Sequence, residues 1–302
     1  MTIEVPAELA ACHARFRGDE GREWIAALPA LALSYLQRWD LRLDGQARHG
    51  MVALVLPVLR RDGSPAALKL QHVDYEHVGE GSALRAWAGD GAVLCYEEGD
   101  EALLLERLED RPLTTMPSAD EACAIIASLL KRLHSYEAPA GTRPLSEIVS
   151  GMLADVPKTL AGMASSTERD ALRYWASALE EVSVGGVGNG DRLLHWDLHY
   201  DNVLAGTREP WLAIDPKPLR SDPGFDLLPA LHNRWDEIVA TGDVGRAVRR
   251  RFDIMVEILG LPRDRAVAWT LGRVLQNSIW EIAEGPDRLE TVQLAIAEAL
   301  LD

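Results

Sequence analysis

Two hydrophobic periods divide the chain. Over residues 6–38 large apolar side chains recur at helical spacing, Trp24, Leu28 and Leu31, then Leu33, Leu36 and Trp39. This predicts helix divided at Pro29, with Asp19-Glu20 as a helix-start signal. From Leu41 the period shortens. Leu41-x-Leu43 alternates, Met51 to Leu59 is apolar and β-prone, and the turn signal Arg61-Asp62-Gly63 precedes Ala66 to Leu70. These read as a meander of short strands. Residues 76–88 predict a helix, and Val93-Leu94 and Ala102 to Leu105 two further strands around the acidic turn Glu97-Glu98-Gly99-Asp100.

From residue 118 the helical period returns. Ser118 and Glu121 form a capping box for a helix to about His134, which Ala138-Pro-Ala-Gly141 breaks. Helices at about 144–164 and 166–183 lead to Gly185–Gly190, read as a flexible connector. It is no dinucleotide fingerprint, because its glycines are in the wrong order and it enters a strand. Val203-Leu204-Ala205 and Trp211-Leu212-Ala213-Ile214 flank the turn-like Gly206 to Pro210 and predict a hairpin. Amphipathic helices follow at about 224–235, 242–259, 264–284 and 287–301. The pattern is α+β: a small antiparallel sheet in residues 1–108, then a mostly helical part in 109–302.

Composition narrows the class. With 47% hydrophobic and 26% charged residues over 302 positions, the chain is an ordinary soluble globular protein with ample core. The N-terminal stretch lacks a basic region followed by an apolar core, and no apolar run is long enough to cross a bilayer. Cys12, Cys95 and Cys123 form neither a C-x-x-C pair nor a disulfide framework, which fits the cytoplasm. A net charge of −16 disfavours nucleic acid and anionic membrane as partners and suits a cationic small molecule.

The chemistry concentrates in Leu193 to Asp226. There His195-x-Asp197-x4-Asn202 precedes a short apolar run and then Ile214-Asp215-Pro216. An Asp and an Asn five residues apart, with a second Asp at a strand end, is how protein kinases build a phosphoryl-transfer site. The first Asp receives the substrate hydroxyl; the Asn and the second Asp hold magnesium. Gly45-x4-Gly50 mimics the start of a Walker loop, but Met51-Val52 stand where Lys-Ser/Thr is required. It is either a cover for nucleotide phosphates or a plain hairpin turn.

His195-Trp-Asp-Leu-His-Tyr-Asp-Asn202, Ala213-Ile-Asp-Pro-Lys217 and Asp222-Pro-Gly-Phe-Asp226 resemble the aminoglycoside phosphotransferases, and more narrowly their streptomycin 6-kinase and hydroxyurea kinase branch. The resemblance implies a two-lobed eukaryotic-protein-kinase-like fold. It further implies ATP-dependent transfer of a phosphoryl group to an alcohol, with ATP and Mg2+ as cofactors. Asp197 would be catalytic, and Asn202 and Asp215 the metal ligands. Lys69, alone in an apolar strand, would serve the nucleotide and pair with a glutamate of the next helix, Glu80 in first place and Glu76 in reserve. Glu106-Arg107-Leu108 resembles the hinge whose main chain binds adenine. His195 would pack the catalytic loop, Asp226 brace it and Asp222 cap the next helix, while Lys217 would either approach a phosphate or stand exposed. Trp196 stands where glycine is commoner in the wider family, and Tyr200 where proline is common; both rings would narrow the acceptor pocket beside Asp197.

For the acceptor, the same resemblance implies streptomycin, modified on the 6-hydroxyl of its streptidine ring, with hydroxyurea or an aminosugar such as glucosamine as alternatives. Streptidine carries two guanidinium groups, which favour bidentate carboxylates and aromatic faces. Trp235 with Asp236, and Trp280 with Glu281, offer both. Two rivals come from other classes. His195 and Asp197 with the distal His232 copy the ligand set of non-haem iron oxygenases. A catalytically dead kinase fold that only binds a partner is the other, against which the intact Lys69, Asp197, Asn202 and Asp215 argue.

Overall fold

The computed structural model describes residues 3–184 and 190–302, and the glycine-rich connector at 185–189 lies outside them. The chain forms two compact units, residues 1–89 with 93–109, and residues 90–92 with 110–302.

In the first unit, α1 (Ala7–Arg38) precedes β1 (Arg42–Leu43), β2 (Arg48–His49), β3 (Ala53–Leu59), β4 (Pro65–Gln71), α2 (Glu80–Trp87), β5 (Cys95–Glu98) and β6 (Ala102–Glu106). The strands form one antiparallel sheet in the order β1-β3-β4-β6-β5, with β2 also on β3. Trp24, Leu28, Tyr35 and Leu36 of α1 join Leu54, Leu56, Val58, Leu68, Leu70 and Leu104 of the sheet in one core. The division of α1 falls at Gly18 and not at Pro29. Gly18 takes φ 57° and ψ −126°, so Asp19-Glu20 opens the second segment, while Pro29 is carried within it. A side chain at Gly21 would meet the His13 carbonyl at 2.3 Å, so only glycine allows the chain to fold back this closely.

Two further expectations are corrected here. Residues 75–79 are turn, so α2 begins at Glu80, where the left-handed Gly79 admits the chain. Glu97 and Glu98 belong to strand β5 instead of a turn, because they pair with Leu104 and Leu103 of β6.

The second unit contains α3 (Ala119–Leu133), α4 (Leu145–Gly162), α5 (Ser166–Val184), β7 (Arg192–Leu194), β8 (Val203–Ala205), β9 (Trp211–Ala213), β10 (Leu219–Ser221), α6 (Leu228–His232), α7 (Trp235–Ala240), α8 (Val244–Leu259), α9 (Arg263–Ala283) and α10 (Thr291–Leu301). Ser118 Oγ accepts from the Glu121 N–H and caps α3. Residues 90–92 belong to this unit because Gly91 O accepts from Ala213 N at 2.9 Å and Ala92 bridges Ala213. The single helix expected at 224–235 is instead a 3-10 turn (Pro223–Asp226), the short α6, and a left-handed break at Arg234. Pro223 and Pro229 each stand in the first turn of their piece, where a missing main-chain donor is tolerated, so each opens a new piece instead of continuing the one before. The last helix starts at Thr291 and not near 287. Among the described residues no helix is long and apolar enough to cross a membrane.

Candidate active site

Lys69 lies on β4, in register with Val55 of β3 and Leu103 of β6, so its strand is flanked on both sides. Its ammonium is 7% exposed and donates to both oxygens of Glu80, at 2.7 and 2.8 Å. Gln71 Nε2 adds a 2.5 Å contact to the same carboxylate. Glu80 is the first residue of α2, where the helix dipole favours negative charge. Desolvating such a pair costs several kcal/mol per ion, so it is better explained by the orientation it imposes than by stability. Glu76 sits in the preceding turn, its N–H donating to Asp74 Oδ1 at 3.0 Å. Glu106 and Leu108 are half-buried at the end of β6, and Glu106 Oε2 accepts from Leu94 N at 3.2 Å.

In the second unit, β8 and β9 form the hairpin, with Val203 opposite Ala213. The ladder runs one step further: Ile214 N donates to Asn202 O at 2.9 Å, which sets Asp215 beside Asn202. Asn202 Nδ2 donates to Asp197 O at 2.8 Å and ties Asn202 to the catalytic loop. That leaves the amide oxygen as the arm for a cation. Asp215 is half-buried with φ 60°, a left-handed conformation that costs a non-glycine residue about 1–2 kcal/mol. An amide oxygen and a carboxylate at neighbouring ends of the hairpin are oxygen donors of the kind that suits magnesium.

Asp226 braces the loop. Its carboxylate is wholly buried and accepts from the main-chain N–H groups of His195 (2.9 Å) and Trp196 (2.7 Å) and from His134 Nε2 (2.8 Å). Burial works against its charge. The hydrogen bond and charge of His134, with the main-chain N–H of His195, outweigh it, and the carboxyl titrates below its ordinary range. His195 Nε2 donates to Ile214 O at 3.0 Å, and burial lowers its basicity, so it is a neutral spacer and not a base. Its Nδ1 faces the Asp197 N–H at 3.4 Å. With both ring nitrogens turned onto main chain, His195 offers no lone pair to iron, and among the described residues no His, Cys, Asp or Glu cluster is arranged to hold a metal. The oxygenase reading fails on that geometry.

Asp197 is 28% exposed at its side chain, and Lys217 Nζ approaches its Oδ2 at 3.3 Å. Lys217 was open between phosphate and solvent in the sequence; its partner is Asp197, placed there because Lys217 N donates to His195 O at 3.0 Å. Asp222 accepts from Gly224 N and from Arg265 Nε, capping the 3-10 turn.

Trp196 and Tyr200 do not line an open pocket. They are 1% and 0% exposed. Tyr200 donates its hydroxyl to Ala230 O at 3.1 Å, and the Trp196 ring lies under the Arg273 guanidinium at 5.0 Å. The ring that reaches solvent is Trp280, 45% exposed and 6.4 Å from Trp196. Glu281 beside it is half-buried, while at the start of α7 Trp235 is half-buried and Asp236 exposed.

A model of the aminoglycoside/hydroxyurea antibiotic resistance kinases matches residues 38–285. The chain belongs to this family of kinases. It is 52% identical to a streptomycin 6-kinase of Streptomyces griseus over 302 residues, covering 99% of this chain and 97% of that one. It is 50% identical to a hydroxyurea phosphotransferase of Kitasatospora aureofaciens, covering 99% of this chain and 86% of that one. Among solved structures, a macrolide 2'-phosphotransferase of Brachybacterium faecium aligns with a TM-score of 0.57 at 19% identity, over 91% of this chain and 98% of that one. The fold is thus the protein-kinase-like fold of antibiotic phosphotransferases, with an N-terminal antiparallel sheet and a helical C-terminal part. Sequence reasoning singled out the acids of the loop but missed His134 and the capping partner Arg265. Both reach their partners only through tertiary packing, and no local motif marks them.

Proposed function

We propose that this protein transfers the γ-phosphoryl group of ATP to the 6-hydroxyl of the streptidine ring of streptomycin, in the cytoplasm. The observation that carries the chemistry is the cross-tied set Asp197, Asn202 and Asp215, held by the β8–β9 hairpin and Asp226. The streptomycin 6-kinase relative carries the acceptor. Residues 1–108 are assigned to nucleotide binding and 109–302 to catalysis and the acceptor. Lys69, oriented by Glu80, serves the α- and β-phosphates, and the main chain at Glu106 to Leu108 serves adenine.

Mg2+, when bound, neutralises charge on the phosphates, and Asn202 Oδ1 with the Asp215 carboxylate would hold it. Asp197 receives the hydrogen bond of the acceptor hydroxyl. As the new O–P bond forms and the bond from the γ-phosphorus to the bridging oxygen of ATP breaks, the hydroxyl proton passes to Asp197. Lys217 fixes the direction of that carboxylate. Of the four acceptor residues considered in the sequence, Trp280 and Glu281 are favoured over Trp235 and Asp236, because Trp280 packs against Trp196 in the catalytic loop.

The test is a panel of streptomycin, hydroxyurea and glucosamine with purified protein, magnesium and radiolabelled ATP, with the product position read by NMR. Streptomycin labelled at the 6-position is the expected outcome. Turnover of hydroxyurea or glucosamine with none of streptomycin overturns the acceptor assignment; ATP turnover with no acceptor of the panel labelled overturns it as well.

A further inference from the structure

Four buried polar atoms without a hydrogen-bond partner follow one route through the second unit: Trp196 Nε1, His232 Nδ1, Glu281 Oε2 and Gln293 Oε1. An unmade hydrogen bond of this kind costs about 1–3 kcal/mol, so each of these atoms is one that an added partner would satisfy. Their neighbours form a closed circuit. Trp196 packs on Trp280, whose successor Glu281 shares a side-chain hydrogen bond with Glu290 at the N-terminal boundary of α10. Gln293, only 3% exposed, turns its amide onto Glu290, with Nε2 3.4 Å from Oε2. His232 feels both Glu290 and the catalytic Asp197, which returns the circuit to the loop.

We propose that Glu281 and Glu290 together form the seat for one guanidinium group of the acceptor, with the exposed face of Trp280 as its wall and Gln293 Oε1 as a further acceptor. The proposal rests on the phosphotransferase reading above. A planar cation with several N–H donors satisfies two carboxylates and an amide oxygen at once, and it gains from an aromatic face. Nothing local in the sequence pairs Glu290 with Glu281, since the turn between α9 and α10 separates them.

The pair also stores a proton. Two carboxyl groups can share a hydrogen bond only if one is protonated, and the Glu281 carboxyl is pushed up to about 7 by burial first, then by the charge and hydrogen bond of Glu290, with Glu284 adding its charge. The other groups near the seat are Gln293 and His232, with Arg143 and Arg273 over the Trp196 ring at 5.1 and 5.0 Å. Burial first, then the Arg273 charge, holds His232 down at about 4, so it is neutral, and the remaining charges acting on it are Asp197, His199 and Glu290. Below pH 7 the empty seat is half-neutralised. A guanidinium entering it replaces the shared proton, which goes to solvent, so binding and proton release are coupled.

The experiment is calorimetric titration of the full-length protein with streptidine and with streptomycin at pH 6.5, in two buffers of different ionisation enthalpy, alongside steady-state kinetics. The parent is expected to release a proton on binding. Glu290→Gln should abolish the release and raise the streptomycin KM about tenfold or more, with kcat falling less, whereas Glu290→Asp should retain the release. Thermal unfolding checks that the variants are folded. If the parent phosphorylates streptomycin but the Gln variant keeps its KM and proton release, the seat is wrong and the acceptor assignment stands. If the parent binds streptidine with proton release yet does not phosphorylate streptomycin, the seat stands and the acceptor assignment is wrong. No binding of either compound overturns the seat.

Discussion

Trp196 carries two opposed costs in a single side chain. Its φ of 65° is left-handed, the conformation in which glycine is free and other residues lose about 1–2 kcal/mol. That explains why glycine is common there in the wider family. Here burial of the indole, stacked under Arg273 and against Trp280, outweighs the strain. Trp196→Gly should therefore destabilise the protein by about 3 kcal/mol or more, the usual cost of a large core cavity, despite relieving the backbone; urea unfolding measures it. Asp197→Ala should lower kcat by about 10²–10⁴-fold while leaving ATP affinity nearly unchanged, measured by turnover and by nucleotide titration. Wild-type turnover in that variant would remove Asp197 from the mechanism.

At the scale of elements, the loop that carries Asp197 is tied down by two segments that converge on Asp226: α3 through His134, and the main chain at His195 and Trp196. Asp226→Asn removes a buried carboxylate that accepts from two main-chain N–H groups and from His134, and should cost about 3–5 kcal/mol at neutral pH. The carboxyl is depressed in the fold, so its stabilisation is present above the ordinary carboxylate range and is lost as pH falls through the lower folded value. The gap in stability between parent and variant should close below about pH 4, which unfolding curves from pH 7 to 3 can follow. Lys69 and Glu80 join β4 to α2 in the same way. Lys69→Met and Glu80→Gln should each impair nucleotide use, and the double variant should lose less than the sum, as coupled groups do. Additive losses would separate them. The α5–α9 contact is closer still: a methyl at Gly272 would stand 2.6 Å from Leu179 Cδ1. Gly272→Ala should cost about 1–3 kcal/mol through overpacking, again by urea unfolding.

Over the whole molecule, the net charge of −16 sets a field that a cationic acceptor experiences before contact. The streptomycin KM should rise as salt increases from about 0.01 M, where the Debye length is ~30 Å, to about 1 M, where it is ~3 Å. An uncharged acceptor such as hydroxyurea should show a flat response in the same series, and equal responses would assign the effect to the nucleotide. The division into two units follows the change of period, with one exception. Residues 90–92 are sequence neighbours of the sheet but bond to β9, and a period-based boundary has no access to such a pairing.

What the sequence determined by itself was local or motif-borne. The helical and β periods placed α1, the sheet, α3 to α5 and the hairpin, because burial on one face imposes a spacing that can be read without partners. The spacing of Asp197, Asn202 and Asp215 was legible for the same reason: a hairpin converts sequence distance directly into spatial distance. The tertiary structure alone decided the rest. Gly18 and not Pro29 breaks α1, because Gly18 takes a positive φ that favours glycine, and just beyond it Gly21 approaches the His13 carbonyl too closely for a side chain. Trp196 and Tyr200 face the core, since φ at Trp196 and the Tyr200–Ala230 bond aim rings that the motif only counts. Glu281 meets Glu290 across the turn between two helices, and Lys217 meets Asp197 across twenty residues of chain. Such contacts depend on how elements pack, and packing is set by shape and burial summed over the unit, which no single stretch of sequence contains.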